Sequence, residues 1–558
     1  MNLRTISFVL ILLFCISCKK KENSNPNLNV NNTIPDVPND QHVSVLTQHN
    51  NNTRAGLNDQ EKKLTTSNVN PTQFGKLFSL AVDDQVYAQP LIVGNITINS
   101  AIHNMALIAT VNNSVYAYDG DSGKLFWNKN YTEAGMRPPR NTDMTGACSG
   151  AYPNFSGNMG IVGTPVIDSV SRIIYFVARS TNSNGTSYVQ YLHAVNILTG
   201  GEQPGSPVKI TATYNGNGDG SVNNVLTFDA QKQNQRAGLT LLNGLVYVTF
   251  SSHCDWGPYH GWILGYNAGS LQQQIIYNDT PNGVDGGIWE SGTGMAADAQ
   301  GNLYVVTGNG TVGVTGDPTA AINRGESAMK LIPSGSTLAI ASYFTPYNFQ
   351  HLEDEDLDYG TMGAFLVPNS NYYFTSCKDG NIFLLNKNNM GGYTPGSNQV
   401  QQIITLGSSS NMHCQAAYGK GATNEFVYIW PENDRLHAFP FNRGSNTFDI
   451  PNELMSNGNI QAPGGQNGAM LSVSSNGSLA GTGIVWAAYA KGCDAGSYTC
   501  PGLLRAFDAS DITKELWNSA ETAGDDVGLY AKFASPTIAN GHVYLATFSN
   551  KVIVYGIK

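Results

Sequence analysis

The chain has 558 residues and a formal net charge of -10, with only 13% charged residues and 60 glycines. Its one basic run is Lys19-Lys20-Lys21, so the composition argues against a nucleic-acid partner. Few charges with abundant Asn, Gly, Ser and Thr suit an exported β-protein, long enough for two ordinary domains.

Residues 1–17 read as a signal peptide: Arg4 precedes an apolar run from Ile6 to Ile16, too short to span a membrane. Cys15-Ile16-Ser17-Cys18 resembles a bacterial lipobox. That resemblance implies cleavage before Cys18, lipidation of its thiol and anchoring in the cell envelope, with the outer membrane expected. Residues 18–45 are polar and rich in Asn and Pro, as expected of a disordered, lipidated tether.

Residues 46–558 repeat one pattern eight times: a lead strand, a turn, an apolar strand and an Ala-x-Asp-like strand. The clearest copy is Ala88–Val93, Ala106–Thr110 and Val115–Asp119, closing on Gly123 and Trp127. Lead strands begin near Pro90, Pro165, Leu239, Met295, Ala364, Ala416, Met470 and Pro536, at a period of roughly 64 residues. β-branched and aromatic second strands such as Leu245–Val248 and Tyr372–Thr375 are bounded by Gly, Asn or Asp. No stretch shows sustained helical periodicity. The expected fold is all-β: an eight-bladed β-propeller of four-stranded antiparallel blades. The last copy ends on Val552–Tyr555 and lacks a fourth strand, which Phe74–Leu80 can supply, closing the ring by pairing its two chain ends.

Of eight cysteines, six lie beyond the signal and anchor. Cys493 and Cys500 bracket one loop and are expected to pair. Blade topology puts Cys148 and Cys254 on one face of the ring, and likewise Cys377 and Cys414, giving expected disulfides 148–254 and 377–414. No C-x-x-C spacing supports metal ligation instead.

Ala117-Tyr118-Asp119-Gly120-Asp121-Ser122-Gly123-Lys124-Leu125-Phe126-Trp127 resembles the blade repeat of pyrroloquinoline quinone (PQQ) alcohol dehydrogenases and their cofactor-free relatives. Ala506-Phe507-Asp508 with Trp517 repeats it more loosely, and Ala194-Val195-Asn196 with Gly200 keeps its front half. Further segments, among them Val86–Leu91, Gly163–Asp168, Gly257–Trp262 and Gly286–Trp289, are similar to a group of exported PQQ-like propeller proteins. The resemblance implies eight blades docked through the small residue, the turn Gly and the closing Trp. PQQ and Ca²⁺ are the cofactors it would imply. The adjacent Cys-Cys pair of the PQQ alcohol dehydrogenases is absent, as is a C-x-x-C-H haem motif.

Loops before each lead strand and after each second strand converge on one mouth of a propeller. His253–His260 is the densest polar stretch there, with Asp255 or His260 as candidate general base or metal ligand, against a loop simply pinned by Cys254. By positional analogy with the PQQ enzymes, Glu290, Asn309 and Asp358 would bind Ca²⁺, with Asp358 alternatively the catalytic base. Trp289, Trp256 and Lys378 are candidate cofactor contacts. Glu353–Asp358 packs five carboxylates into six residues, a cation site or a solvated acidic loop. Glu432-Asn433-Asp434 sits in an equivalent loop.

The leading expectation is a binding or scaffolding propeller, anchored in the envelope through Cys18 and presenting its mouth to a protein or glycan partner. One alternative is a PQQ- and Ca²⁺-dependent dehydrogenase of a small alcohol or sugar. Another is a polysaccharide-active propeller using Trp256, Tyr259, Trp262 and Trp289 as sugar platforms.

Overall fold

The computed structural model describes residues 42–558 except 151, 408–410 and 422–423. The signal segment, Cys18 and the tether up to residue 41 lie outside the described residues. The described residues form eight antiparallel blades in a ring. Blade 1 runs Leu91–Ile98, Ala101–Ala109, Ser114–Asp119 and Leu125–Asn130 from the channel outward. The inner strands of the next six begin at Val166, Thr240, Ala296, Phe365, Ala417 and Met470, each within a residue of the expected lead position. Blade 8 is built from Thr537–Ala539, His542–Ala546 and Lys551–Ile557, with Phe74–Ala81 as its outermost strand. Phe74 faces Ile557 and Ala81 faces Lys551 in antiparallel register, so the expected closure of the ring is present. It leaves no unpaired edge between first and last blade.

The core follows from side-chain alternation. Successive residues of a strand point to opposite faces, so each blade divides its apolar side chains between two neighbours. In blade 5, Tyr373, Phe383 and Leu385 pack against blade 4, whereas Phe374, Ile382 and Leu384 pack against blade 6. Eight such clusters, one per blade interface, hold the described ring. Each fully buried Leu, Ile or Phe contributes about 1.5–3 kcal/mol. Trp127 shows how blades dock: its indole N–H donates to the Ile197 carbonyl at 2.8 Å. Its ring lies over Gly200, where a Cβ would come within 2.8 Å and the backbone has φ +67°.

Residues 42–61 form one structured segment, of which residues 42–45 were expected in the tether and 46–61 in the propeller. The segment enters beside Gly94, climbs to His49, turns through Arg54 and descends in parallel with Val473–Ser474. Its backbone accepts or donates in turn. Val45 bridges Ile92 in blade 1, and the Leu46 carbonyl takes the Ile167 N–H of blade 2. The Asn52, Thr53, Ala55 and Gly56 carbonyls take N–H groups of Ala297, Leu366, Tyr418 and Val473, in blades 4 to 7. Thr47 donates to the Leu239 carbonyl of blade 3, and Asn58 to Ile538 of blade 8. The plug thus touches every blade, and only about 10 Å³ stays open beside His49, room for at most one water.

Cys148 pairs with Cys254 and Cys493 with Cys500, as expected. Cys377 and Cys414 do not pair; both are free and buried. Their loops share one face of the ring, but Cys377 points into the blade 4–5 cluster and Cys414 into the blade 5–6 cluster, on opposite sides of blade 5. Cys377 Sγ donates instead to the Leu357 carbonyl at 3.0 Å. One short helix, Phe349–Asp354, interrupts the expected acidic loop.

Candidate functional site

The plug fills the channel axis, and the loops that precede the inner strands gather polar side chains at the other mouth. Two charged groups meet there. The first is acidic. Asp358 is buried, accepts the Asn309 N–H at 2.9 Å and is ion-paired to Lys378. Burial alone would raise its carboxyl; the Lys378 ammonium and the Asn309 N–H outweigh that and hold it below the usual range. Lys378 also donates to Asp356, at 3.0 Å to its carbonyl and 3.1 Å to its carboxylate. Glu353 accepts the Gly310 N–H. Asp255, exposed on the rim, accepts the Tyr259 hydroxyl at 2.8 Å, and crowding by protein followed by the charge of Asp358 raises it to about 6. His413 Nδ1 lies 2.6 Å from Glu432, whose other oxygen takes the Gly465 N–H.

The second group is cationic. The half-buried Arg236 guanidinium lies 4.2 Å from the centre of the Phe533 ring and 5.5 Å from that of Trp289. Behind it are Arg179, 1% exposed, and Lys532, 3% exposed. Arg236 donates to the Trp289 carbonyl at 3.4 Å, Arg179 to the Gln231 carbonyl at 3.3 Å and Lys532 to the Ala495 carbonyl at 2.7 Å. Arg179 Nε and Nη1 and Arg236 Nε are buried and unpartnered. Burial and then the Arg236 charge bring the Lys532 ammonium down to about 7. Burial brings Arg179 and Arg236 each to about 10.

The structure brings together Asp358, Asn309, Lys378 and, at the rim, Asp255. Trp289 joins them from the cationic side. Glu290 is not with them: its Oε1 accepts the Val306 N–H at 3.1 Å inside blade 4, and Oε2 is buried without a partner. His260 sits apart, its ring nitrogens 2.9 Å from the Thr280 hydroxyl and 2.9 Å from the Asp219 carbonyl. Trp256 packs over Gly146 in the loop tied by Cys148–Cys254. Trp262 and Tyr259 are buried in blade packing and present no sugar platform. Sequence reasoning missed Arg179, Arg236 and Lys532. The position of Arg236 and Lys532 just before the inner strands of blades 3 and 8 was the available signal.

These residues do not fit the expected calcium ion. Lys378 supplies the positive charge on Asp358, Glu290 is turned into blade 4, and no three His, Cys, Asp or Glu side chains converge among the described residues. Glu290 instead has a testable effect on stability. Burial raises its carboxyl from 4.5 to about 8. The folded chain therefore keeps a proton that the unfolded chain releases, and stability falls as pH rises from about 4.5 towards 8. Glu290→Gln is expected to stabilise by about 3 kcal/mol at pH 7 and by nothing at pH 4. Melting curves at the two pH values check this.

No protein-family model matches the chain, and no curated protein matches it in sequence. Solved structures do. Quinohemoprotein alcohol dehydrogenase from Comamonas testosteroni superposes with TM-score 0.56 at 12% identity, covering 92% of this chain and 80% of that one. Quinohemoprotein alcohol dehydrogenase ADHIIG from Pseudomonas putida HK5 gives the same values. BamB from Moraxella catarrhalis gives TM-score 0.47 at 12% identity, over 87% of this chain and 99% of that one. The chain accordingly has the eight-bladed propeller fold of the quinohemoprotein alcohol dehydrogenases, a likeness of fold.

Proposed function

We propose that the protein is a binding propeller of the cell envelope whose plugged channel takes a carboxylate-bearing ligand, or an acidic group of a partner, at its mouth. The observation that carries this is the set of cations Arg179, Arg236 and Lys532, which lack carboxylate partners among the described residues, with unpartnered N–H groups on both arginines. Buried cations without counter-charges are costly, and an anion would relieve that cost. The flanking rings of Trp289 and Phe533 suit a flat ligand. PQQ, a planar tricarboxylate, has this chemistry, so the fold likeness and the charges point to the same probe. Oxidation is not part of the proposal, because the residues around Asp358 do not fit the metal that the dehydrogenase reading requires.

Lipidation at Cys18 belongs to the same proposal. The described chain begins on the plugged face, beside Gly94.

Titration of the mature chain with PQQ and with citrate tests the reading. Saturable binding of at least one is expected, weakened about tenfold or more by Arg236→Ala and weakened by salt. Affinity should rise as pH falls through about 7, because Lys532 gains its proton there. Absence of binding by both probes at low salt would overturn the proposal.

A further inference from the structure

A concavity of the described surface lies on the outer edge of the ring, between blades 3 and 4. It is a groove of about 860 Å³. One wall is the outer strand of blade 3, Gln273–Asn278, and the other is the outer strand of blade 4, Thr337–Phe344. A hairpin of Thr213–Asn215 and Val225–Thr227 closes it above. The hairpin is held in place: Gly218 and Asp219 donate to the Pro281 and Gly283 carbonyls, each at 2.9 Å. Gly216 approaches so closely that a Cβ would lie 2.0 Å from the Pro281 carbonyl oxygen. The groove is therefore preformed.

Its chemistry is unlike the rest of the molecule. No Asp, Glu, Lys, Arg or His lines it, on a chain of net charge -10. The polar lining is amide and hydroxyl, including Asn215, Gln273, Gln274, Asn278 and Asn282. The half-buried Tyr214 adds an aromatic face. Asn278 is 2% exposed, and its Nδ2 has no partner. Thr337 Oγ1, on the facing wall, is also buried and unpartnered.

We infer that this groove is a binding site for a linear, uncharged oligosaccharide. Each Asn or Gln amide offers a donor and an acceptor side by side, which matches neighbouring sugar hydroxyls. The orphaned Asn278 amide and Thr337 hydroxyl are groups that such hydroxyls would satisfy. An ionic ligand would lose its hydration here with no counter-charge to replace it. A protein partner is disfavoured because the lining lacks the Trp and Arg anchors typical of such interfaces. A six-residue strand spans roughly 20 Å, so the wall is long enough for several sugar units in a row. The inference does not rest on the anion reading of the mouth.

Calorimetric titration of the full mature chain with cellohexaose, xylohexaose, mannohexaose and maltohexaose tests it, with a hexagalacturonate as the charged counterpart. At least one neutral hexaose is expected to bind saturably, and the hexagalacturonate, which the cationic mouth could hold, is not expected to displace it. Tyr214→Ala and Gln274→Ala, both at accessible positions, should each weaken binding about tenfold. Raising NaCl to roughly 0.5 M should leave the neutral sugar's affinity unchanged, which separates this site from the charged mouth. The inference is overturned if no neutral hexaose binds, if the hexagalacturonate displaces the neutral hexaose, if salt abolishes the neutral sugar's binding, or if both variants bind like the parent.

Discussion

Arg54→Ala is expected to destabilise the protein by about 4–5 kcal/mol and to release the plug. Arg54 is fully buried on the channel axis. Its guanidinium donates to the Met295, Gln48 and Leu239 carbonyls at 3.2, 2.8 and 3.0 Å, and to the Thr47 and Thr240 hydroxyls, each at 2.7 Å. Truncation strands the Gln48 carbonyl where water cannot reach and leaves the Leu239 and Met295 carbonyls only the Thr47 and Thr240 hydroxyls as donors, each lost bond costing about 1–3 kcal/mol. The loss is less than their sum, because removing the cation also removes its own desolvation, visible in a guanidinium brought down to about 10. Differential scanning calorimetry reads the stability change. Limited proteolysis reads the plug, with new cleavage between residues 42 and 73 in the variant. An unchanged melting temperature would show that the five bonds do not hold the segment.

Loss of the Cys148–Cys254 bridge is the second large effect, expected at about 4.7 kcal/mol, against about 2.4 kcal/mol for Cys493–Cys500. The contrast comes from the sequence separations, 106 and 7 residues, which set how far each bridge restricts the unfolded chain. The long bridge also ties blade 2 to blade 3 beside the mouth, where Tyr152 meets His253 at 2.9 Å. Cys148→Ser should therefore weaken PQQ or citrate binding as well. Paired serine variants, melted under oxidising conditions, decide it. Equal losses would mean that the unfolded chain is not the state being constrained.

What could be read from the chain was whatever alternation and spacing encode. Tyr373 and Phe374 announce a strand buried on both faces, and the strand is there. Phe74–Leu80 could be assigned to the last blade because an open ring needs a closing strand. Cys493–Cys500 followed from bracketing a single loop, and Cys148–Cys254 from knowing which loops share a face. The third failed on a finer scale: topology locates the backbone at Cys377 and Cys414, but strand alternation sends their sulfurs to opposite sides of a blade. The plug was illegible for a different reason. Residues 42–61 have the polar composition of a tether, and their order comes from backbone bonds to inner strands hundreds of residues away. The mouth was half legible. Asp358, Asn309 and Lys378 are neighbours as loop position suggested, while Glu290, before the inner strand of blade 4, has a backbone with φ +45° and turns its carboxyl to the Val306 N–H.

In repeat proteins each unit ordinarily feels only the units beside it, and stability adds up neighbour by neighbour. Here residues 42–61 give all eight blades a common contact, as an axle does the spokes of a wheel. Disturbance of one blade is then felt across the ring without passing through those between. A pull on the chain ahead of His42 would load the axle first and spread to every blade, leaving no single blade to peel away.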